Sequence, residues 1–164
     1  MQTINALDSA LDFAEKGWHV LPIRPKAKEP LGKLARFGHL SATTDKDVLM
    51  NWFDQAPNMN IGIACEMSSL VVIDIDYRNL TKESWSYAKL LYADTLIVET
   101  GDGVHLYFKA PQGLSLPAKL DDGIDVKYRG YVVAPPSVHP TGKVYESNGL
   151  EPIDYPDYLL KGRI

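Results

Sequence analysis

Two short segments hold the residues whose types and spacing can do chemistry: Val71-Val72-Ile73-Asp74-Ile75-Asp76 and Thr100-Gly101-Asp102-Gly103-Val104-His105-Leu106-Tyr107-Phe108. Side chains on a strand repeat every second residue, so Asp74 and Asp76 share one face while Ile73 and Ile75 point into a core. Two carboxylates closing a buried strand repel each other and lose hydration unless a cation lies between them. The pair is therefore a candidate metal site. The plain alternative is a strand that ends and reaches solvent at Asp74.

A third carboxylate is available. Ile124-Asp125-Val126-Lys127 alternates, which puts Asp125 and Lys127 on the face opposite Ile124 and Val126. Three acids meeting on one face can hold the paired ions that clamp attacking and leaving oxygens in phosphoryl transfer. Read alone, Asp125 is simply a strand position beside the turn Asp121-Asp122-Gly123. His105 falls on the polar side of its own strand with Tyr107 and Lys109, and on leaving a glycine-rich turn it can reach a phosphate together with backbone N–H groups. Lys28, Lys127 and Arg129 are candidates to neutralise phosphates, or else solvated surface charges. His19 and His39 read as structural or surface residues. His139, in a loop, has no assigned role, and no aromatic residue is assigned to base stacking.

Composition narrows the chemistry. A chain of 164 residues with 45% apolar content and a single cysteine reads as one globular domain that makes no internal disulfide and no cysteine-based zinc site. Oxygen and imidazole ligands remain, which favours hard divalent cations. The net charge of -4 argues against tight duplex binding by this chain alone, although ions held by carboxylates reverse the local field where phosphates approach. There is no secretory pattern at the start and no membrane-spanning run, so the expected location is cytoplasmic.

The elements that must position these residues follow from periodicity. Ile4, Leu7, Leu11, Ala14 and Trp18 recur at helical steps and stop near Gly17. Residues 18–23 read as a strand running into the Lys- and Pro-rich loop 24–30. Thr44-Asp45-Lys46-Asp47 offers an N-cap for a helix whose apolar face is Val48, Leu49, Trp52 and Phe53, ended by Pro57. Residues 61–65 and 70–75 read as neighbouring strands joined by the turn 66–69. Residues 81–92 predict a helix with Trp85, Ala88, Leu91 and Tyr92 facing inward. Further strands are expected at 96–99, 104–109, 124–127 and 131–133, then a proline-rich stretch and a small hairpin through 142–145. This order predicts an α+β fold with a mixed or mostly antiparallel sheet. A doubly wound nucleotide fold is disfavoured, since neither a Gly-x-Gly-x-x-Gly fingerprint nor a P-loop is present.

Taken in order, Gly17-Trp18-His19-Val20-Leu21-Pro22-Ile23, Lys28-Glu29-Pro30, Asn60-Ile61-Gly62-Ile63 and residues 71–76, 101–108, 123–127 and 131–139 resemble the prim-pol family. This is the bifunctional DNA primase/polymerase domain of the archaeo-eukaryotic primase superfamily, and the likeness covers nearly the whole chain. It implies an RNA-recognition-motif-like mixed or antiparallel catalytic sheet beside an N-terminal α/β module, with the active site in the cleft between them. The family's paired acids fall on Asp74 and Asp76, its third metal-binding acid on Asp125 and its nucleotide-binding histidine on His105.

The resemblance further implies two divalent ions, Mg²⁺ or Mn²⁺, held by the three acids, and a triphosphate gripped by His105 and the Gly101 and Gly103 backbone. Lys28 and Lys127 follow as secondary contacts. Nucleoside triphosphates and single-stranded or primed DNA are the expected partners. On this resemblance residues 1–164 would form one catalytic domain, the N-terminal part of a longer plasmid or phage replication protein carrying a helicase or helix-bundle segment. Two departures stand out: the family turn is often Ser-Gly-Gly where this chain has Gly101-Asp102-Gly103, and Lys127 stands where the family commonly carries Arg. Two other readings stay open, a replication-assembly module that binds nucleic acid with weak or no turnover, and a metal-dependent nuclease.

Overall fold

The computed structural model of the protein describes residues 5–160. Helix α1 (Ala6–Glu15) starts at Asn5, whose side chain accepts from the Asp8 amide at 2.8 Å, and Ala10 and Ala14 are its buried residues. Ile4, expected to open this helix, lies outside the described residues. Strand β1 (His19–Ile23) follows. Asp45 caps α2 (Lys46–Gln55) by accepting from the Asp47 and Val48 amides, and α2 buries Leu49, Trp52 and Phe53 as expected. Strand β2 (Asn60–Ala64) pairs antiparallel with β1 on one side and with β8 (Tyr131–Ala134) on the other. All five residues of β2 are buried, so both faces of this small sheet are covered.

The second sheet has seven strands. Its members are β3 (Leu70–Asp76), β4 (Leu96–Glu99), β5 (Gly103–Lys109), β6 (Lys119–Asp121), β7 (Ile124–Lys127) and two short strands, β9 (Glu146–Ser147) and β10 (Ile153–Asp154). The order is β6-β7-β3-β5-β4-β9, with β10 alongside β5; the β10–β5 pair is parallel and the others are antiparallel. The mixed, mostly antiparallel α+β architecture is therefore present. The expectation that residues 61–65 and 70–75 pair with each other is overturned. The short 3-10 turn Glu66–Ser68 carries the chain from one sheet to the other, and Ser69 takes a left-handed backbone to complete the change of layer.

Two apolar clusters explain this layering. One face of β3, β5 and β7, made of Val71, Ile73, Ile75, Leu106, Phe108, Ile124 and Val126, is covered by Ala88 and Leu91 of α3 (Lys82–Leu91) and by Leu159 of α4 (Asp157–Leu160). On the opposite face Leu70, Val72, Leu96, Val98 and Tyr107 pack into one core with β1, β2, β8, α1 and α2. Cys65 belongs to this core, and burial pushes its thiol up to about 12, consistent with a small packing residue.

Helix α3 departs from expectation. Thr81 and Ser84 form a capping box that buries Ser84, while Trp85 is 43% exposed and Tyr92, just past the helix, is 42% exposed. The helix presents a narrower apolar face than its spacing predicted, centred on Ala88 and Leu91. The hairpin expected near 142–145 is a short turn in which the His139 amide donates to the Lys143 carbonyl at 2.7 Å and Val138 bridges Val144.

Candidate active-site cleft

The register of the large sheet sets the chemistry. Asp74 lies directly opposite His105 on β5 and directly opposite Asp125 on β7, so Asp125, Asp74 and His105 form a row across three neighbouring strands. In antiparallel pairing such residues project to the same face. One step nearer the core, Val72 lies between Lys127 and Tyr107; one step outward, Asp76 faces Gly103. Ile73 and Ile75 are fully buried on the other face and the two acids are half-buried.

A cleft of about 420 Å³ opens over this row, between the two sheets. Of the residues singled out from the sequence, Asp74, Asp76, His105, Gly103, Lys28 and Lys127 line it. Lys28 reaches it from the loop after β1, which Tyr131 holds by donating its hydroxyl to the Lys28 carbonyl at 2.9 Å. Asp125 opens instead into an adjoining groove that shares Asp74 and Asp76. Gly101 lines a third, neighbouring groove. Arg129 is placed elsewhere: its exposed guanidinium pairs with Glu66 at 3.5 Å, and it is not among the residues lining these hollows.

Each carboxylate has a partner. Asp74 Oδ1 lies 3.6 Å from His105 Nε2, and Asp125 Oδ2 lies 3.7 Å from Lys127 Nζ. Asp76 accepts from the Arg78 amide at 3.1 Å, from Arg78 Nε at 3.4 Å and from Asn79 Nδ2 at 2.8 Å. It thereby also caps the 3-10 turn Tyr77–Asn79 that ends β3. Burial alone raises the Asp76 carboxyl, but the bonds and charge of Arg78 with the Asn79 bond outweigh it and hold the group below its ordinary value. Among the described residues no group of three or more His, Cys, Asp or Glu side chains is gathered as a metal site. The donors suit a hard divalent cation in chemistry and in facing, while their side chains are turned to protein partners.

His105 is 7% exposed. Burial lowers its pKa, Asp74 pulls it back up, and Lys28 and Lys127 lower it further, so the imidazole is neutral near pH 7. Its Nδ1 is buried with no hydrogen-bond partner.

The structure adds residues that the sequence did not single out. His139 lines the cleft with only 3% exposure, its Nδ1 2.9 Å from Thr141 Oγ1 and its Nε2 3.4 Å from Asp102 Oδ2. Arg78 Nη2 lies 3.3 Å from the same Asp102 oxygen. Asp102 thus lines the cleft between the Arg78 guanidinium, which offsets part of the repulsion a bare carboxylate would impose on a triphosphate, and the His139 ring. Tyr145 lies tilted between the rings of His105 and His139, at 6.3 and 5.8 Å, and burial first, then Asp74 and Asp102, push its hydroxyl up to about 12. His39, read from sequence as structural or surface, also lines the cleft and stacks on Tyr131.

The loop carrying His139 is fastened to β2. Ser137 Oγ accepts from the Ile61 amide and donates to its carbonyl, while the Asn60 side chain accepts from the Val138 amide and donates to the Val138 carbonyl. The two glycines of the turn have steric reasons to be there. A Cβ on Gly103 would meet the Ile75 carbonyl oxygen at 1.9 Å, and one on Gly101 would meet the His139 ring at 2.1 Å. No local pattern marks His139 or His39, because each enters the cleft through contacts made far away in sequence.

No curated protein matches the chain. A family profile described as the N-terminal domain of bifunctional DNA primase/polymerase matches residues 10–158, a span that includes both sheets and every cleft residue named above. The chain belongs to the bifunctional DNA primase/polymerase (Prim-Pol) N-terminal family, whose activity is nucleotidyl transfer of the primase/polymerase type.

Proposed function

We propose that the cleft between the two sheets extends a DNA primer, or starts one, by template-directed nucleotidyl transfer with Asp74, Asp76 and Asp125 holding two divalent ions, Mg²⁺ or Mn²⁺. The observation that carries this reading is the cross-strand row of Asp125, Asp74 and His105, with Asp76 beside it and Lys28 and Lys127 at its margin. When bound, the ions supply charge neutralisation at the α-phosphate and a lower pKa at the attacking 3′-hydroxyl.

The chain's own residues do the rest. A triphosphate entering the cleft meets Lys28 and Lys127 as point charges and the neutral His105 as a hydrogen-bond donor through Nε2. The turn at Gly101 and Gly103 brings backbone close to the same space. Arg78 pairs with Asp102 and the neutral His139 ring lies beside it, so the Asp102 carboxylate is held against protein partners where the phosphates enter. The primer hydroxyl then gives its proton to water as its oxygen bonds to the α-phosphorus, the bond from the α-phosphorus to the β-phosphate oxygen breaks and pyrophosphate leaves. The same reading places residues 1–164 as one catalytic domain of a plasmid or phage replication protein acting in the cytoplasm, working with a helicase or helix-bundle segment. Arg129, turned toward Glu66, serves at most an outlying template phosphate.

One observation favours a second reading, a binding module without turnover: each acid is already engaged by a protein partner. Primer extension with Mn²⁺ and dNTPs separates the two. Elongated product supports the enzyme, and product without a primer adds initiation. Binding of primed DNA with no elongation supports the module, and degradation of a labelled strand in the absence of nucleotide makes the chain a nuclease.

A further inference from the structure

Tyr77, Trp85 and Tyr92 are 45%, 43% and 42% exposed, and they are gathered rather than scattered. The Tyr77 and Trp85 ring centroids lie 5.7 Å apart at 81°, and the Tyr77 and Tyr92 hydroxyls are 3.3 Å apart. Trp85, Lys89 and Tyr92 are spaced by four and three residues, one stripe at helical period, and Lys89 Nζ lies 5.7 Å from the Trp85 centroid. The patch adjoins the cleft. Tyr77 follows Asp76 directly, and with Arg78 it lines a groove of about 410 Å³ that runs past Gly101 and Gly103 to Lys143.

Charge distinguishes this surface from the rest of the chain. Residues 82–92 carry Lys82 and Lys89 against the lone carboxylate of Glu83, with Arg78 beside them paired to Asp76 and Asp102, whereas the whole chain has a net charge of -4. Outward-facing aromatic rings bounded by cations suit a strand whose bases are unpaired: each base offers a flat face for stacking whatever its identity, and the phosphates meet ammonium groups. A duplex keeps those faces covered. An apolar protein partner would call for aliphatic residues on the same stripe, and Leu90, the exposed aliphatic residue of α3, falls on a different side of the helix.

Building on the nucleotidyl-transfer reading, we infer that Tyr77, Trp85 and Tyr92, with Lys82 and Lys89, form a stacking platform that receives single-stranded DNA and delivers it to the cleft. A base stacking on Trp85 displaces the flexible Lys89 side chain from the ring toward a phosphate. The platform supplies affinity for the strand and takes no part in bond making, so it acts on template binding and leaves the chemical step alone.

The test uses the full chain and an oligothymidylate. Of its three tryptophans, Trp18 and Trp52 are 7% and 6% exposed, so fluorescence quenching by the oligonucleotide reads Trp85. The expected result is quenching by oligothymidylate, a Kd and a template KM raised about fivefold or more in Trp85→Ala, and kcat unchanged at saturating template. Trp85→Phe, which keeps a stacking ring, retains most of the affinity. Lys82→Ala with Lys89→Ala makes the salt dependence of binding shallower, by about 0.7 in log–log slope for each phosphate no longer neutralised. Equal Kd and template KM in wild type and Trp85→Ala overturn the platform while leaving the nucleotidyl-transfer reading intact if extension proceeds. Quenching that Trp85→Ala abolishes, without extension by either protein, keeps the platform and overturns that reading. A change of oligomeric state in Trp85→Ala with unaltered oligonucleotide binding assigns the surface to a second copy of the chain and overturns the platform.

Discussion

One face of β3 does two different jobs along its length. Leu70 and Val72 are 1% and 0% exposed and packed against the small sheet; Asp74 and Asp76, on the same face of the same strand, are half-buried and line the cleft. Both ends lie between the same two strands, β7 and β5, since Val72 sits between Lys127 and Tyr107 as Asp74 sits between Asp125 and His105. What differs is the cover. Where the small sheet lies on the large one, the face must be apolar; where the two sheets part, the same alternation presents acids, a histidine and a lysine on a backbone fixed by strand pairing. Groups held on paired strands keep their spacing better than groups on loops. The acids and His105 therefore need no special backbone of their own, only the point at which two layers separate.

Substitutions at the two ends break the comparison in opposite ways. At the open end, Asp125→Asn removes a charge from a half-buried position beside Lys127. It is expected to cut the extension rate on the order of 10³-fold, as removing a transition-state charge interaction does, with little change in thermal stability. At the covered end, Leu70→Ala opens a cavity in the shared core. Chemical denaturation is expected to show a loss of about 2–5 kcal/mol, with kcat unchanged in the fraction that stays folded.

Gly101→Ala lies between these extremes, because its new Cβ collides with an imidazole whose loop is bolted to β2 by Asn60 and Ser137. We expect about 1–3 kcal/mol of destabilisation with a raised KM for dNTP, read by melting and steady-state kinetics. The smallest effect is a pH dependence. Burial first, then Lys28, lower the His139 pKa below its ordinary 6.5, with Asp102 opposing and Arg78 and Lys143 adding. The unfolded chain therefore takes up a proton that the native state does not, so this contribution is complete above pH 6.5 and lost as pH falls through the folded value. Melting temperature between pH 7 and pH 5 is expected to fall more steeply for wild type than for His139→Asn.

Much of the open end was legible in the sequence because alternation is a local signal. The spacing of Asp74 and Asp76, the side of the strand taken by His105 and the pairing of Asp125 with Lys127 on one face need only period two, and the structure keeps all of them. The partition into two sheets was not legible, since residues 61–65 and 70–75 read as strands equally well whether they pair or part; the left-handed Ser69 after the 3-10 turn decides it. The inward assignment of Trp85 and Tyr92 failed because helical spacing names a stripe without naming what covers it, and here Ala88 and Leu91 already fill the sheet-facing side. His139, Arg78 and Asp102 meet through contacts far apart in the chain, which no window of sequence contains.

The most direct test of nucleotidyl transfer at these acids is primer extension with Mn²⁺ and dNTPs by wild type beside the Asp74→Ala/Asp76→Ala double variant, at matched circular dichroism. Elongation by wild type and none by the variant is the predicted result. Equal elongation by both, or none by a folded wild type, would contradict it.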